Sequence, residues 1–90
     1  MPEEKIIKVN KLISGIEKRK DAFGSGHSFG FVVELETESG HTMPYRLTSR
    51  RKRDAAARLE KMQFPFNVGG MTYNPEIGTI SVNLFGGGLL

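Results

Sequence analysis

The stretch Phe29-Gly30-Phe31-Val32-Val33-Glu34-Leu35-Glu36-Thr37 decides the fold. Its odd positions Phe29, Phe31, Val33 and Leu35 are apolar, and its even positions include Glu34 and Glu36. Side chains on a strand alternate sides, so this pattern sets one face on a core and the other in water. Downstream, Thr42-Met43-Pro44-Tyr45-Arg46-Leu47-Thr48 repeats it through Met43, Tyr45 and Leu47. Pairing Leu35 with Met43, Val33 with Tyr45 and Phe31 with Leu47 keeps every apolar side chain on one face. That register leaves the loop Glu38-Ser39-Gly40, which suits a type I turn with Gly40 in the left-handed bulge position. A shorter loop would slip the pairing and set Glu36 against Met43. Pro44 has no backbone donor and predicts a sheet edge or a bulge.

After this hairpin, Ser49 reads as a helix N-cap, its hydroxyl accepting a free N–H of the first turn. Residues 50–62 form the one strong helix. Ala55, Ala56 and Ala57 favour it, and Ala55, Leu59 and Met62 share one face. Phe64-Pro65-Phe66 ends it. Phe66-Asn67-Val68, Met71-Thr72-Tyr73 and a run over residues 79–85 alternate as strands. Gly69-Gly70 marks a tight turn or a bulge, and Asn74-Pro75-Glu76-Ile77-Gly78 a turn.

Before the hairpin, the reading divides. Ile6, Val9, Ile13 and Ile16 have helical spacing, yet β-branched residues dominate and Gly15 interrupts. A strand through Ile7-Lys8-Val9, a bulge, and Leu12 to Ile16 is preferred over a helix for residues 3–16. Residues 18–28 then form a basic loop punctuated by glycine.

The expected fold class is mainly β, or α+β: a small five-stranded antiparallel barrel or curved sheet with one helix over about 50–62. Residues 1–90 make a single domain, with 86–90 as a flexible tail. Ninety residues support one modest core. The chain has no cysteine, which excludes disulfides and thiolate metal sites and favours a reducing compartment. Met1-Pro2-Glu3-Glu4 does not open like a secretory leader, and no apolar run approaches the roughly 20 residues that span a bilayer. A soluble, cytoplasmic protein is expected.

The order strand, basic loop, strand, strand, helix, strand, strand resembles the OB-fold of single-stranded nucleic-acid-binding proteins. The resemblance is one of architecture and covers residues 6–85. The segment from Phe66-Asn67-Val68 to Thr79-Ile80-Ser81-Val82 is similar to the closing hairpin of small phage-type single-stranded-DNA-binding proteins. What the resemblance implies is oligonucleotide binding across the second and third strands and their flanking loops. The chain departs from it at Glu34 and Glu36, which repel phosphate from the outward face of the second strand. With a helix at the start instead, the order would resemble a double-stranded-RNA-binding domain.

Charge is segregated along the chain. Residues 1–20 carry six Lys/Arg against three Glu, and residues 48–62 carry six against one Asp and one Glu. Residues 21–47 between them carry one Arg against four acids. Such a distribution speaks of partners rather than of fold. Its sharpest feature is Arg50-Arg51-Lys52-Arg53 at the start of the helix. The positive end of the helix dipole disfavours cations there by roughly 0.3–1 kcal/mol each. Free N–H groups and four cations suit an anion instead. A solvated charge run, with Arg53 or Arg58 pairing to Asp54, Glu60 or the acidic strand, is the plainer alternative.

Lys18-Arg19-Lys20 followed by Phe23 is the second basic site, where flexible cations track a phosphate backbone and a ring stacks a base. Tyr73 is a further stacking candidate beside Phe85, whereas Tyr45 and Phe66 point inward. Glu34 and Glu36 read as a solvated face, with Arg46 pairing diagonally to Glu34. His27 and His41 sit in turns with no carboxylate arranged to make a metal site. No catalytic constellation is visible, and no cofactor is implied. The expected function is a non-enzymatic module binding single-stranded DNA or RNA through Lys18, Arg19, Lys20, Phe23, Arg50, Arg51, Lys52, Arg53 and Tyr73. The rival expectation is a protein-interaction or assembly module, such as a homo-oligomer or a small regulator of a larger complex.

Overall fold

A computed structural model describes residues 3–21, 23–24 and 26–82. The elements run β1 (Glu4–Lys20), β2 (His27–Thr37), β3 (Thr42–Ser49), α1 (Lys52–Glu60), β4 (Phe66–Asn74) and β5 (Thr79–Val82). The five strands form one antiparallel sheet in the order β3-β2-β1-β4-β5. It curls into a half-barrel, compatible with an OB-like arrangement. The expected tail at 86–90, and Phe85, lie outside the described residues.

The β2–β3 hairpin has the register that the apolar alternation dictates. Phe31 faces Leu47, Val33 faces Tyr45 and Leu35 faces Met43. The Gly40 amide donates to the Thr37 carbonyl at 2.9 Å, and Gly40 sits at φ 89°, where a side chain would strain the backbone. β3 is an edge strand, which is where Pro44 is tolerated.

β1 is a strand of 17 residues, not a helix. Its pairing with β2 shifts at four places, between Ile6 and Lys8, Val9 and Lys11, Leu12 and Ser14, and Ser14 and Glu17. Each shift adds a residue, so Ile6 and Val9 both reach the core although three positions separate them. The Gly69-Gly70 pair resolves as a bulge. Met71 pairs with Ile6 and Asn67 with Lys8, so β4 carries extra residues opposite Ile7, with Gly70 at φ 77°.

The core joins Ile6, Val9, Phe31, Val33, Leu35, Met43, Leu47 and Met71 on the concave side. Fully burying one such side chain stabilises the fold by roughly 1.5–3 kcal/mol. The helix closes this face with Ala55, which is buried, and the half-buried Leu59, and Met62 just past its end packs beside them. Arg58 fastens it to β3, its Nη1 donating to the Thr48 carbonyl at 3.0 Å.

Three expectations are corrected here. Ser49 is not the helix cap: it ends β3, paired with Phe29, and the sheet ladder claims it. Arg51 takes the cap position in extended backbone without a side-chain cap bond, and the regular helix starts at Lys52. Lys18, Arg19 and Lys20 are likewise not in a loop. They pair with Phe29, Ser28 and His27, so the hairpin continues to its tip. The ladder runs to Lys20 and His27, and beyond it the Asp21 amide donates to the Gly26 carbonyl at 2.9 Å. His27 therefore begins β2 rather than lying in a turn.

Candidate nucleic-acid interface

The ladder brings the two basic segments to one end of the sheet. Lys18 pairs with Phe29, and Phe29 pairs with Ser49, so the three stand side by side on β1, β2 and β3. Two strand spacings separate Lys18 from Ser49, a Cα distance of roughly 10 Å. The chain then turns from Ser49 into Arg50. A methyl group placed on Gly26 would lie 3.8 Å from Arg50 Nη1 and 2.6 Å from Asp21 Oδ2. The Arg50 guanidinium thus reaches the tip of the β1–β2 hairpin, and Gly26 leaves the room for it.

Most of these cations are free. Among the described residues, Lys18, Lys20, Arg50, Arg51 and Lys52 form no ion pair. Arg19 approaches Glu17 at 3.8 Å, and Arg53 approaches Asp54 at 3.8 Å. Both pairs are exposed, so each contributes at most about 1 kcal/mol. Asp54, in the first turn of α1, offsets part of the unfavourable charge of Lys52 and Arg53 against the helix dipole. Phe23 projects from the hairpin turn with its surface 96% exposed.

Tyr73 does not join this end. It pairs with Glu4, and Glu4 stands fourteen residues before Lys18 on β1. Its ring stacks on His41, with centroids 5.4 Å apart and planes 18° from parallel. The contact ties β4 to the β2–β3 turn. Among the described residues, no three His, Asp or Glu side chains gather as a metal site requires. Nor is any described helix long and apolar enough to cross a membrane.

The outward face of the sheet differs from the acidic surface expected. Glu34 and Glu36 each accept a hydrogen bond of 3.0 Å from Asn10 Nδ2. Lys11 stands opposite Glu34, and Lys8 opposite Glu36, as ladder partners. Two lysines therefore offset the two carboxylates. Arg46 does not pair with Glu34. Its side chain turns to the other diagonal and lies over Gly30, where an added Cβ would fall 2.7 Å from its Cζ. Glu34 is held by Asn10, and Gly30 offers the flat surface that a guanidinium covers. One nitrogen, Arg46 Nη2, is buried there without a hydrogen-bond partner. A lone glycine inside a strand is the sequence signal for such a close approach.

At the opposite end of the sheet, polar groups are satisfied internally. The buried Thr37 hydroxyl donates to Glu4 Oε1 at 2.8 Å and accepts the His41 amide at 3.2 Å. The Ser39 hydroxyl also donates to Glu4. The bonds from Ser39 and Thr37, with the nearby His41 charge, hold the Glu4 carboxyl below its ordinary value, against a smaller opposing effect of desolvation.

Comparison with family models, curated proteins and solved structures finds no match to this chain.

Proposed function

We propose that this chain is a non-catalytic module that binds single-stranded DNA or RNA, built as an OB-like half-barrel and working inside the cell. Arg50, Arg51, Lys52 and Arg53 hold phosphates at the start of the helix. Lys18, Arg19 and Lys20 extend the track along the hairpin, and Phe23 stacks a base. Tyr73, remote from the cations and already stacked on His41, is left out of this surface.

One observation carries the reading. Among the described residues, Lys18, Lys20 and Arg50 gather at one end of the sheet and form no ion pair, with the Asp21 carboxylate beside Arg50 at the hairpin tip. Holding like charges together costs stability and gains nothing for the fold, so a polyanion is the partner that such a surface serves. The neighbouring exposed ring adds a surface that every base can stack on. The carboxylates of Glu34 and Glu36 weigh less against phosphate than the sequence implies, because Lys8, Lys11 and Asn10 face them.

Titration with a labelled oligonucleotide at two salt concentrations tests the proposal. Affinity should fall with salt, with a slope near 0.7 per phosphate contact on single strands. Binding that ignores salt, or none at low salt, would refute it.

A further inference from the structure

We propose that a second copy of this chain pairs with the free edge of β1 between residues 11 and 17, antiparallel about Ser14, so that two half-barrels share one continuous sheet. The inference stands apart from the nucleic-acid reading.

The edge exists because β4 is shorter than β1. Pairing between them ends at Val9 with Phe66, whereas β1 continues to Lys20. Among the described residues, only β2 pairs with β1 beyond Val9, which leaves the other edge of this segment without a strand partner, a template for another strand. Leu12 and Ile13 lie on it, 38% and 48% exposed. The outer edge of β3 is blunted by Pro44, and β5 has only four described residues.

The sequence of this edge complements itself. With Ser14 on the two-fold axis, Lys11 of one copy faces Glu17 of the other, and Leu12 faces Ile16. Each pair occurs twice, and the faces agree. Lys11 and Glu17 lie outward, opposite Glu34 and Gly30 of β2. Leu12 lies inward opposite Val33, and Ile16 packs on the core. Neighbouring registers fail. Centring the pairing on Gly15 sets Lys11 against Arg19 and Ile13 against Glu17. Slipping by one residue sets Lys11 against Lys18 in one direction or Ile16 in the other, and in both cases sets inward positions against outward ones.

The bend of the strand obeys the same symmetry. The register shifts at Leu12/Ser14 and Ser14/Glu17 fall one on each side of Ser14. Ile13 is the extra residue of the first. Gly15 is that of the second, since Ile16 turns to the core. In the paired dimer Ile13 meets Gly15 of the other copy, and a Cβ built on Gly15 finds nothing within 4 Å. The open space is where the isoleucine goes.

Light scattering and sedimentation of the full chain without nucleic acid test this. The expected result is a dimer whose share rises with concentration, and a monomer up to roughly 1 mM overturns it. Glu17→Lys turns both charge pairs repulsive and should weaken the dimer about tenfold. Mixing it with Lys11→Glu should restore a heterodimer. Ile13→Lys, at an exposed position, should weaken self-association too. A dimer indifferent to both Glu17→Lys and Ile13→Lys overturns the proposed edge. Hydrogen exchange on the unaltered chain reads that edge without substitution. Protection of amides in residues 11–17 should grow with concentration, and unchanged exchange in a dimer sinks the proposal.

Discussion

The two ends of the sheet are built on opposite terms. At the β2–β3 turn, the buried Thr37, Ser39, Glu4 and the His41 amide satisfy one another, and Tyr73 covers His41. At the β1–β2 hairpin, Lys18, Lys20 and Arg50 form no ion pair among the described residues, and Phe23 stands in water. A fold gains from the first arrangement and not from the second. The difference teaches where to look for a partner: at the end whose charges the protein itself leaves unanswered.

The sharpest way to break this contrast is to neutralise the open end. Replacing Lys18, Lys20 and Arg50 together by Gln should lower oligonucleotide affinity about a hundredfold at low salt and reduce the salt slope by about 2. Thermal stability should change by no more than about 0.5 kcal/mol, since exposed residues without partners are removed. Melting curves and fluorescence titrations on one preparation read both. A loss of fold with unaltered binding would invert the assignment of the two ends.

Thr37→Val is the reciprocal change. It deletes a buried hydroxyl bonded to Glu4 and to the His41 amide and should cost roughly 1–3 kcal/mol of stability by denaturant unfolding. Binding measured well below the melting point should stay within a factor of about two, because no atom at the basic end moves.

Phe23→Ala separates stacking from charge. It should weaken binding by about 1–2 kcal/mol and leave the salt slope alone, because the ring contributes no charge. A changed slope with unchanged affinity would remove the ring from the interface.

The smallest expected effect is a pH dependence at the closed end. Hydrogen bonds from Ser39 and Thr37 hold the Glu4 carboxyl below its ordinary 4.5, so the folded state favours the ionised form. The stability it contributes is full above that value and fades as pH falls through the lowered one. Glu4→Gln should flatten this acid limb in pH-dependent melts, and an identical limb in the variant would detach Glu4 from it.

How much of this was legible in the sequence depended on how regular the backbone is. The β2–β3 register could be read residue by residue, because no bulge interrupts the alternation from Phe29 to Leu35 and Gly40 fixes the turn. β1 resisted because its bulges place Ile6 and Val9 on one face, a spacing that imitates a helix. Ser49 resembled a cap because Ser suits that position, yet pairing with Phe29 is a tertiary fact that no local pattern reveals. The basic residues were visible, but their meeting was not: it depends on Phe29 lying between Lys18 and Ser49. A lone glycine inside a strand, such as Gly30, is a general mark of close approach, but the group that approaches it, Arg46, follows only from the register.

Mapping backbone amide shifts during titration with a short single-stranded oligonucleotide tests the central claim most directly. The account predicts changes concentrated in residues 18–26 and 50–53, with Glu4, Thr37, His41 and Tyr73 still. Changes centred on Glu4 and Tyr73, or no saturable change at low salt, would contradict it.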